Sequence, residues 1–423
     1  MARILMVGLG SYGDINPYLA IGRELKRRGH AAVLATGSIY AGDAAREGLE
    51  FAAVRPDADP TDAELMARVM DRRRGSERVI RELVMPRVRE SFEDLERAAR
   101  GADLLLSHPL TYAVPVLAQH RRYPWLSVAL QPLMFFSAYD PPVVAPAPWL
   151  ARLRPLGPRV NGPLLRLMKR VSYPWGEPVR VLRRELGLSD GGDPMFEGQH
   201  SPHGVLALFS KAFGPPQPDW PPHVHVCGFP FLDEDFGGKG LDPALASFLE
   251  AGAPPIVFTL GSSAVQTAGD FYAHAAEAAA RLGRRAVLLA GPAADTMRGL
   301  ADSAIAARSA PYHQLFPRCA AIVHSGGVGT TGQALRAGRP QLVVPFAHDQ
   351  FDNGARVARL GAGGWLARHR VTAGRLERAL SKLLSEASVE RAAAQVADGM
   401  RVEHGVARAC DVIEGHLSSA GIR

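Results

Sequence analysis

The chain has too few cysteines for a disulfide framework and no apolar run long enough to span a bilayer. Its three cysteines, Cys227, Cys319 and Cys410, are odd in number, far apart and in no C-x-x-C pair. Neither a bridged secreted scaffold nor a zinc site is indicated, and buried, reduced thiols are expected. No apolar stretch approaches the ~18 to 20 residues that cross a membrane, and residues 4–9 are too few for a signal-peptide core, so the protein is expected to stay in the cytoplasm. A basic stripe interleaved with aromatics is also missing. The net charge of +7 is spread over amphipathic segments such as Arg23-Glu24-Leu25-Lys26-Arg27-Arg28, with one denser run at Arg72-Arg73-Arg74. Nucleic acid is therefore not an expected partner. What is present is an ordinary globular composition, 47% hydrophobic and 22% charged over 423 residues, which exceeds one core and points to two domains.

Residues 3–7 form a short apolar run ending in glycines, and Leu19, Ile21 and Leu25 then recur with helical spacing before Gly29. The next strand is expected at 31–35, and the same alternation returns at 104–106, 126–130 and 205–208. A proline- and glycine-rich stretch around a short strand at 225–227 looks like a linker. A second series follows, with strands at 256–260, 286–290, 320–324 and 341–345. This rhythm predicts an α/β protein of two doubly wound parallel-sheet domains facing across a cleft, with function on the loops at the strand ends.

Gly8-Leu9-Gly10-Ser11-Tyr12-Gly13 is a literal G-x-G-x-x-G between strand and helix, the setting of a dinucleotide fingerprint. Two features oppose an oxidoreductase. Ala35-Thr36-Gly37-Ser38 offers no acid for the ribose. Asp14 sits where the pyrophosphate would lie, and like charges repel there. Asp14 itself fits a helix N-cap, with Pro17 in the first turn, and a general base equally well.

The second glycine cluster reads differently. His324-Ser325-Gly326-Gly327-Val328-Gly329-Thr330-Thr331 follows a buried strand and opens a helix. Glycines admit a ligand close to the backbone, the new helix presents unpaired N–H groups, and His324, Ser325, Thr330 and Thr331 can add donors, so a diphosphate is the natural guest. The lysine of a Walker loop is absent. Downstream, Pro345-Phe346-Ala347-His348-Asp349-Gln350 falls at a strand end. There Asp349 and Gln350 suit adjacent sugar hydroxyls, and a helix cap by Asp349 is the plainer alternative. Gly261-Ser262-Ser263 is a weaker phosphate contact.

These residues resemble the nucleotide-sugar glycosyltransferases of the two-Rossmann-domain (GT-B) fold, the family that includes UDP-glucosyltransferases, sterol glucosyltransferases and glycopeptide glycosyltransferases. His200-Ser201-Pro202-His203-Gly204-Val205, Gly228-Phe229-Pro230 and His348-Asp349-Gln350-Phe351-Asp352-Asn353 resemble its rhamnolipid rhamnosyltransferase branch. The resemblance implies an acceptor domain over 1–222, a linker over 223–240, a donor domain over 241–400, and a C-terminal helix over 401–423 returning to the first domain. It implies that Asp14 is the general base, that His324 contacts the donor phosphates, and that Gly327, Val328, Gly329 and Thr330 hold them through backbone amides. It further implies that Asp349 and Gln350 bind the sugar, Ser262 the diphosphate, and the backbone near Tyr312 the base. Ser325 and Gly326 belong to the same donor loop. Plant-type relatives stack a tryptophan on uracil, and Arg308-Ser309-Ala310-Pro311 supplies none, so both UDP- and dTDP-hexoses stand as the co-substrate, with no other cofactor.

The expected reaction is metal-independent inverting transfer to a small lipophilic acceptor. Tyr12, Trp125, Met134, Phe135 and Phe136 are the candidate acceptor contacts, with core packing as the alternative for the aromatics. Residues 150–170, apolar with five arginines and one lysine, allow transient membrane contact, although packing between the domains is the preferred reading. The D-x-D triplets at Asp57/Asp59 and Asp233/Asp235 read as solvated turns, the short pairs His200/His203 and His223/His225 as structural, and Gly187-Leu188-Ser189-Asp190-Gly191 as a chance match to the hydrolase elbow. The rival readings are a GT-B-fold nucleotide-sugar epimerase and a non-catalytic nucleotide-sugar-binding protein.

Overall fold

Ile4, Leu5, Met6 and Val7 are all buried, as a central parallel strand covered by helices on both faces requires. The computed structural model describes residues 1–59, 61–233 and 240–419. Its first sheet contains β1 (Arg3–Val7), β2 (Ala31–Thr36), β3 (Glu50–Ala53), β4 (Leu104–Ser107), β5 (Trp125–Ala129), β6 (Val205–Ala207) and β7 (Val224–Val226). They stand in the order β3-β2-β1-β4-β5-β6-β7, and every pair is parallel. The second sheet contains β8 (Ile256–Thr259), β9 (Ala286–Leu289), β10 (Ala304–Ala307), β11 (Ala321–His324), β12 (Gln341–Val343) and β13 (Gly363–Trp365), ordered β10-β9-β8-β11-β12-β13 and again parallel. Counted from its own first strand, the second sheet runs 3-2-1-4-5-6, and the first repeats that order with a seventh strand added at its end. The winding therefore reverses between β1 and β4 in one domain and between β8 and β11 in the other, and a ligand crevice opens at each reversal.

Several expectations need correction. Val224–Val226, assigned to a linker of residues 223–240, pairs with β6 as an edge strand, so the connection between the sheets starts later. Asp235 of the second D-x-D triplet lies outside the described residues. Three strands without a strong apolar signature were not anticipated, namely β3, β10 and β13.

The domains are joined by buried charge. Arg356, 2% exposed, donates to Asp352 and to Asp140 of the first domain, each at 2.6 Å, while Asp352 accepts the Val143 N–H at 3.0 Å. Breaking such a buried pair costs ~3 to 5 kcal/mol, because the remaining charge loses its partner. The last helix, Gly405–Ser419, returns to the first domain. Cys410, Ile413 and Leu417 share a core with Ile21 and Leu25 of the helix Tyr12–Arg27, and Arg28 pairs with Asp411 and Glu414. All three cysteines are free and buried, and burial raises each thiol to about 12.

Candidate active site

At the first reversal, the loop after β1 enters the helix Tyr12–Arg27. Gly10 has φ +127°, and a Cβ there would lie 2.3 Å from Asp14 Oδ2, so only glycine lets the chain fold over this carboxylate. The helix starts at Tyr12, earlier than its apolar spacing suggested, with Ser11 as the N-cap. Asp14 is therefore the third helical residue and not the cap. Its Oδ2 accepts the Ser11 N–H at 2.8 Å and the Ser11 hydroxyl at 3.2 Å, which orients the carboxylate as in a capping box. Pro17 falls past the first turn, so the Gly13 carbonyl has no N–H four residues on.

Oδ1 of Asp14 faces the crevice, with His108 Nε2 at 3.6 Å. His108 directly follows β4 and is 5% exposed. Its Nδ1 accepts the Leu110 N–H at 3.1 Å, which leaves the proton of the neutral ring on Nε2, and Nε2 has no hydrogen-bond partner. At 3.6 Å the pair is just too long for a hydrogen bond. Sequence reading missed His108. Its place at the carboxyl end of a central strand was the signal available.

At the second reversal, the loop after β11 enters the helix Val328–Arg336. Gly326 has φ +92° and is packed so closely that a Cβ would lie 2.6 Å from Val343 Cγ1. Gly327 is the N-cap and supplies no side-chain cap. The N–H groups of Val328, Gly329 and Thr330 thus open the helix without intrahelical acceptors, at the positive end of its dipole. Ser262 and Ser263, from the single helical turn Gly261–Ala264 after β8, line the same wall, and Ser325 donates to the Leu260 carbonyl at 2.8 Å.

His324 does not reach this wall. It is fully buried, its Nε2 pairs with Gln341 Oε1 at 3.0 Å, and its Nδ1 accepts the Gly326 N–H at 3.1 Å. Burial lowers it to about 4, so it is a neutral ring that holds the loop's shape, and the expectation of a phosphate contact is corrected. The Tyr312 side chain sits behind the glycine wall, its hydroxyl 3.0 Å from Thr259 Oγ1 and hydrogen-bonded to Thr330, and its ring stacked on Phe316.

After β12, His348 takes a left-handed conformation at φ +53° and its Nδ1 lies 3.0 Å from Ser76 Oγ of the first domain. Asp349 accepts from Asn353 Nδ2 at 2.7 Å, and the same amide reaches the Gly326 carbonyl at 2.8 Å, which ties this loop to the glycine loop. Burial, and then the Asp14 carboxylate across the crevice, push Asp349 up to about 7. Gln350 Oε1 accepts the Phe346 and Ala347 N–H groups, leaving its amide N–H₂ as the free end.

Both walls bound one cavity of about 690 Å³. Gly13 and Gly329 approach one another across it, a Cβ on Gly329 falling 3.7 Å from Gly13 Cα. Beyond Asp14 the cavity continues into the first domain between Met134 and Phe136 on one side and Leu65, Val69 and Ile80 on another. Met134 and Phe136 were anticipated there. Trp125 and Phe135 were also expected at the acceptor, but both are core: Trp125 lies in β5, and Phe135 stacks on Trp220 at 4.2 Å. Tyr12 packs edge-on against Tyr40 and does not line the cavity. Leu165 and Met168 of the helix Pro158–Ser172 do line it, while Ala151 packs against the small cluster of Val143, Ala145 and Phe351, of which only Phe351 comes from the second domain, and Leu156, Val160 and Leu167 stay exposed. Packing between domains thus accounts for little of that segment. Among the described residues no three His, Cys, Asp or Glu side chains form a metal-ligating group. Asp57 and Asp59 accept backbone N–H groups of Ser38 and Thr61 instead.

Residues 279–409 match the family described as erythromycin biosynthesis protein CIII-like, C-terminal domain. The chain is 33% identical, over 97% of its own length and 97% of the relative's, to the O-mycaminosyltylonolide 6-deoxyallosyltransferase of Streptomyces fradiae. It is 28% identical, over 86% of its length and 25% of the relative's, to a sterol 3-beta-glucosyltransferase of Leptosphaeria maculans. Among solved structures it resembles the spinosyn rhamnosyltransferase SpnG complexed with thymidine diphosphate, with a TM-score of 0.68 and 20% identity over 97% of this chain and 100% of that one.

Proposed function

The chain belongs to the glycosyltransferases of the GT-B fold, and on that footing we propose that it moves a hexose from a dTDP- or UDP-sugar to a hydroxyl of a small lipophilic acceptor, with inversion and without a metal. The observation that carries this reading is the pairing of opposite walls around one cavity, Asp14 Oδ1 on one side and the uncapped helix start at residues 328–330 on the other. The apolar extension past Met134 and Phe136 supports a lipophilic acceptor. The relatives' names support a natural-product or sterol-like one.

In the proposed step the acceptor O–H gives its proton to Asp14 Oδ1 as its oxygen forms a bond to the anomeric carbon from the face opposite the nucleotide. The bond from that carbon to the phosphate oxygen breaks, and the nucleoside diphosphate departs with the electron pair. Its growing charge meets the N–H groups of Val328, Gly329 and Thr330, which favour it more in the transition state than in the ground state. Asp349 and the Gln350 amide take the sugar hydroxyls. Ser11 orients the Asp14 carboxylate through its N–H and hydroxyl, and His108, whose unpaired Nε2–H lies 3.6 Å from Asp14 Oδ1, is assigned as a positioning residue that closes on Oδ1 when acceptor is bound. General-base assistance of this kind contributes ~10²- to 10⁴-fold.

The test is a thermal-shift screen of dTDP- and UDP-sugars with and without chelator, followed by product mass and anomeric configuration with a hydroxylated polycyclic acceptor. At least one dTDP- or UDP-sugar is expected to raise the midpoint in chelator, since a ligand that binds only the folded state must stabilise it. A midpoint that none of them raises would overturn the donor assignment, and loss of the shift in chelator would overturn metal independence.

A further inference from the structure

We propose that the helix Pro158–Ser172, with the short helical segment Pro148–Leu156 before it, docks on an anionic lipid surface and receives the acceptor from that surface into the cavity. The inference rests on the lipophilic-acceptor reading above and adds where such an acceptor comes from.

The apolar residues of this region are on the outside. Trp149 is 59% exposed, Leu167 59% and Val171 67%, and a contiguous group of exposed apolar side chains marks an interaction surface. At 3.6 residues per turn, Val160, Leu164, Leu167 and Val171 fall on a single stripe of the helix. Arg159, Arg166 and Arg170 form the neighbouring stripe on one side. On the other side lie Leu165 and Met168, which line the cavity, and Leu164 belongs to both the exposed stripe and the cavity lining. The exposed apolar stripe is therefore continuous with the cavity wall and bordered by positive charge.

The charge is one-sided. Between Asp140 and Glu177 the chain has five arginines and one lysine and no carboxylate. Arg154 is engaged by Asp140 and Lys169 by Glu197. The side chains of Arg152, Arg159, Arg166 and Arg170 form no ion pair or hydrogen bond among the described residues. This differs from the helix Tyr12–Arg27, whose Glu24 pairs with Arg27 and Arg28. An apolar stripe flanked by unpaired arginines is the pattern of a helix lying in a membrane interface, where the rings and methyls enter the acyl boundary and the guanidinium groups meet anionic headgroups. Among the described residues no helix is long and apolar enough to cross a membrane, so the contact is with one surface. A protein partner of this face would have to be acidic and apolar at once. An anionic bilayer supplies both, and is also where a lipophilic acceptor accumulates.

The test is flotation of the full chain with phosphatidylcholine vesicles with and without phosphatidylglycerol, at low and high salt. The doubly substituted variants Leu167→Ser/Val171→Ser and Arg166→Gln/Arg170→Gln are run beside it, and neither pair lines the cavity. The chain is expected to float with the phosphatidylglycerol vesicles and to be released by salt. Binding should weaken by about fivefold per arginine removed and by at least as much for the apolar pair. The shift in unfolding midpoint caused by thymidine diphosphate, read on the same samples, should be unchanged in both variants. Its absence from all samples would count against the donor reading and not against docking. Failure of the parent chain to float, binding that both variants retain, or equal binding to uncharged vesicles would overturn the proposal. So would a dimer of the parent chain in solution that Leu167→Ser/Val171→Ser abolishes, since the occupant of the face would then be a second copy.

Discussion

The two sheets repeat one strand order and set a glycine loop at the same reversal, yet the two loops differ in charge. The first folds over a carboxylate, with Gly10 shaped around Asp14. The second opens a helix whose first turn holds no acidic residue and whose N-cap is a bare glycine. The two loops flank the reversal from different strands, the first after β1 and the second after β11, the fourth strand of its own sheet, and their residues make one wall suited to accept a proton and the other suited to receive an anion. The G-x-G-x-x-G match in the first loop shows the consequence, because the glycines report the turn and Asp14 decides what the turn can hold.

The sharpest way to break this contrast is to give the second loop the carboxylate of the first. Gly327 has no atom within 4 Å of an added Cβ and no positive φ, so Gly327→Asp fits. Aspartate is a good N-cap, so the unfolding midpoint without ligand should stay level or rise slightly. Affinity for thymidine or uridine diphosphate should fall by ~10²-fold or more, from like charge at reduced dielectric. Retained affinity in isothermal titration would show that the diphosphate lies elsewhere.

Which parts of this arrangement the sequence announced follows from where signal accumulates. Central strands such as β1 and β4, buried on both faces, read as apolar runs. β3, β10 and β13 are short, only partly buried strands at the sheet margins, made largely of alanine, glycine and one acid, and gave no periodicity to read. β7 was visible but its proline-rich surroundings suggested a linker. Asp14 and residues 326–330 stood out because glycine marks close approach. A motif histidine, however, looks the same as a ligand or as an anchor, and His324 proved to be an anchor. Trp125 and Phe135 were misassigned because aromatic content does not separate core from cavity. The walls at Leu65, Val69 and Ile80 come from helical segments with no polar signature, so only the tertiary structure brings them to the site.

A smaller effect probes the electrostatic link between the walls. Asp349 is pushed up to about 7 by burial and by Asp14, above its unfolded value of ~3.9. The native state then holds the extra proton between about pH 4 and 7, so this residue's contribution to stability declines as pH rises through that window. Asp349→Asn should remove that decline in a series of thermal melts. If the ionised carboxylate takes the sugar hydroxyls, donor KM should rise by up to about tenfold per unit as pH falls below 7, and the asparagine variant should lose this dependence. A wild-type donor KM that is flat across this range would remove Asp349 from the sugar site.

The most direct measurement is single-turnover transfer by Asp14→Asn, with thymidine diphosphate binding followed on the same preparation and His108→Gln run beside it. Transfer by Asp14→Asn should fall by ~10²- to 10⁴-fold while the diphosphate binds as before, and His108→Gln should show a loss of roughly several-fold in transfer with diphosphate binding unchanged. Transfer by Asp14→Asn at the parent rate would contradict the assignment of the first glycine loop as the proton-accepting wall.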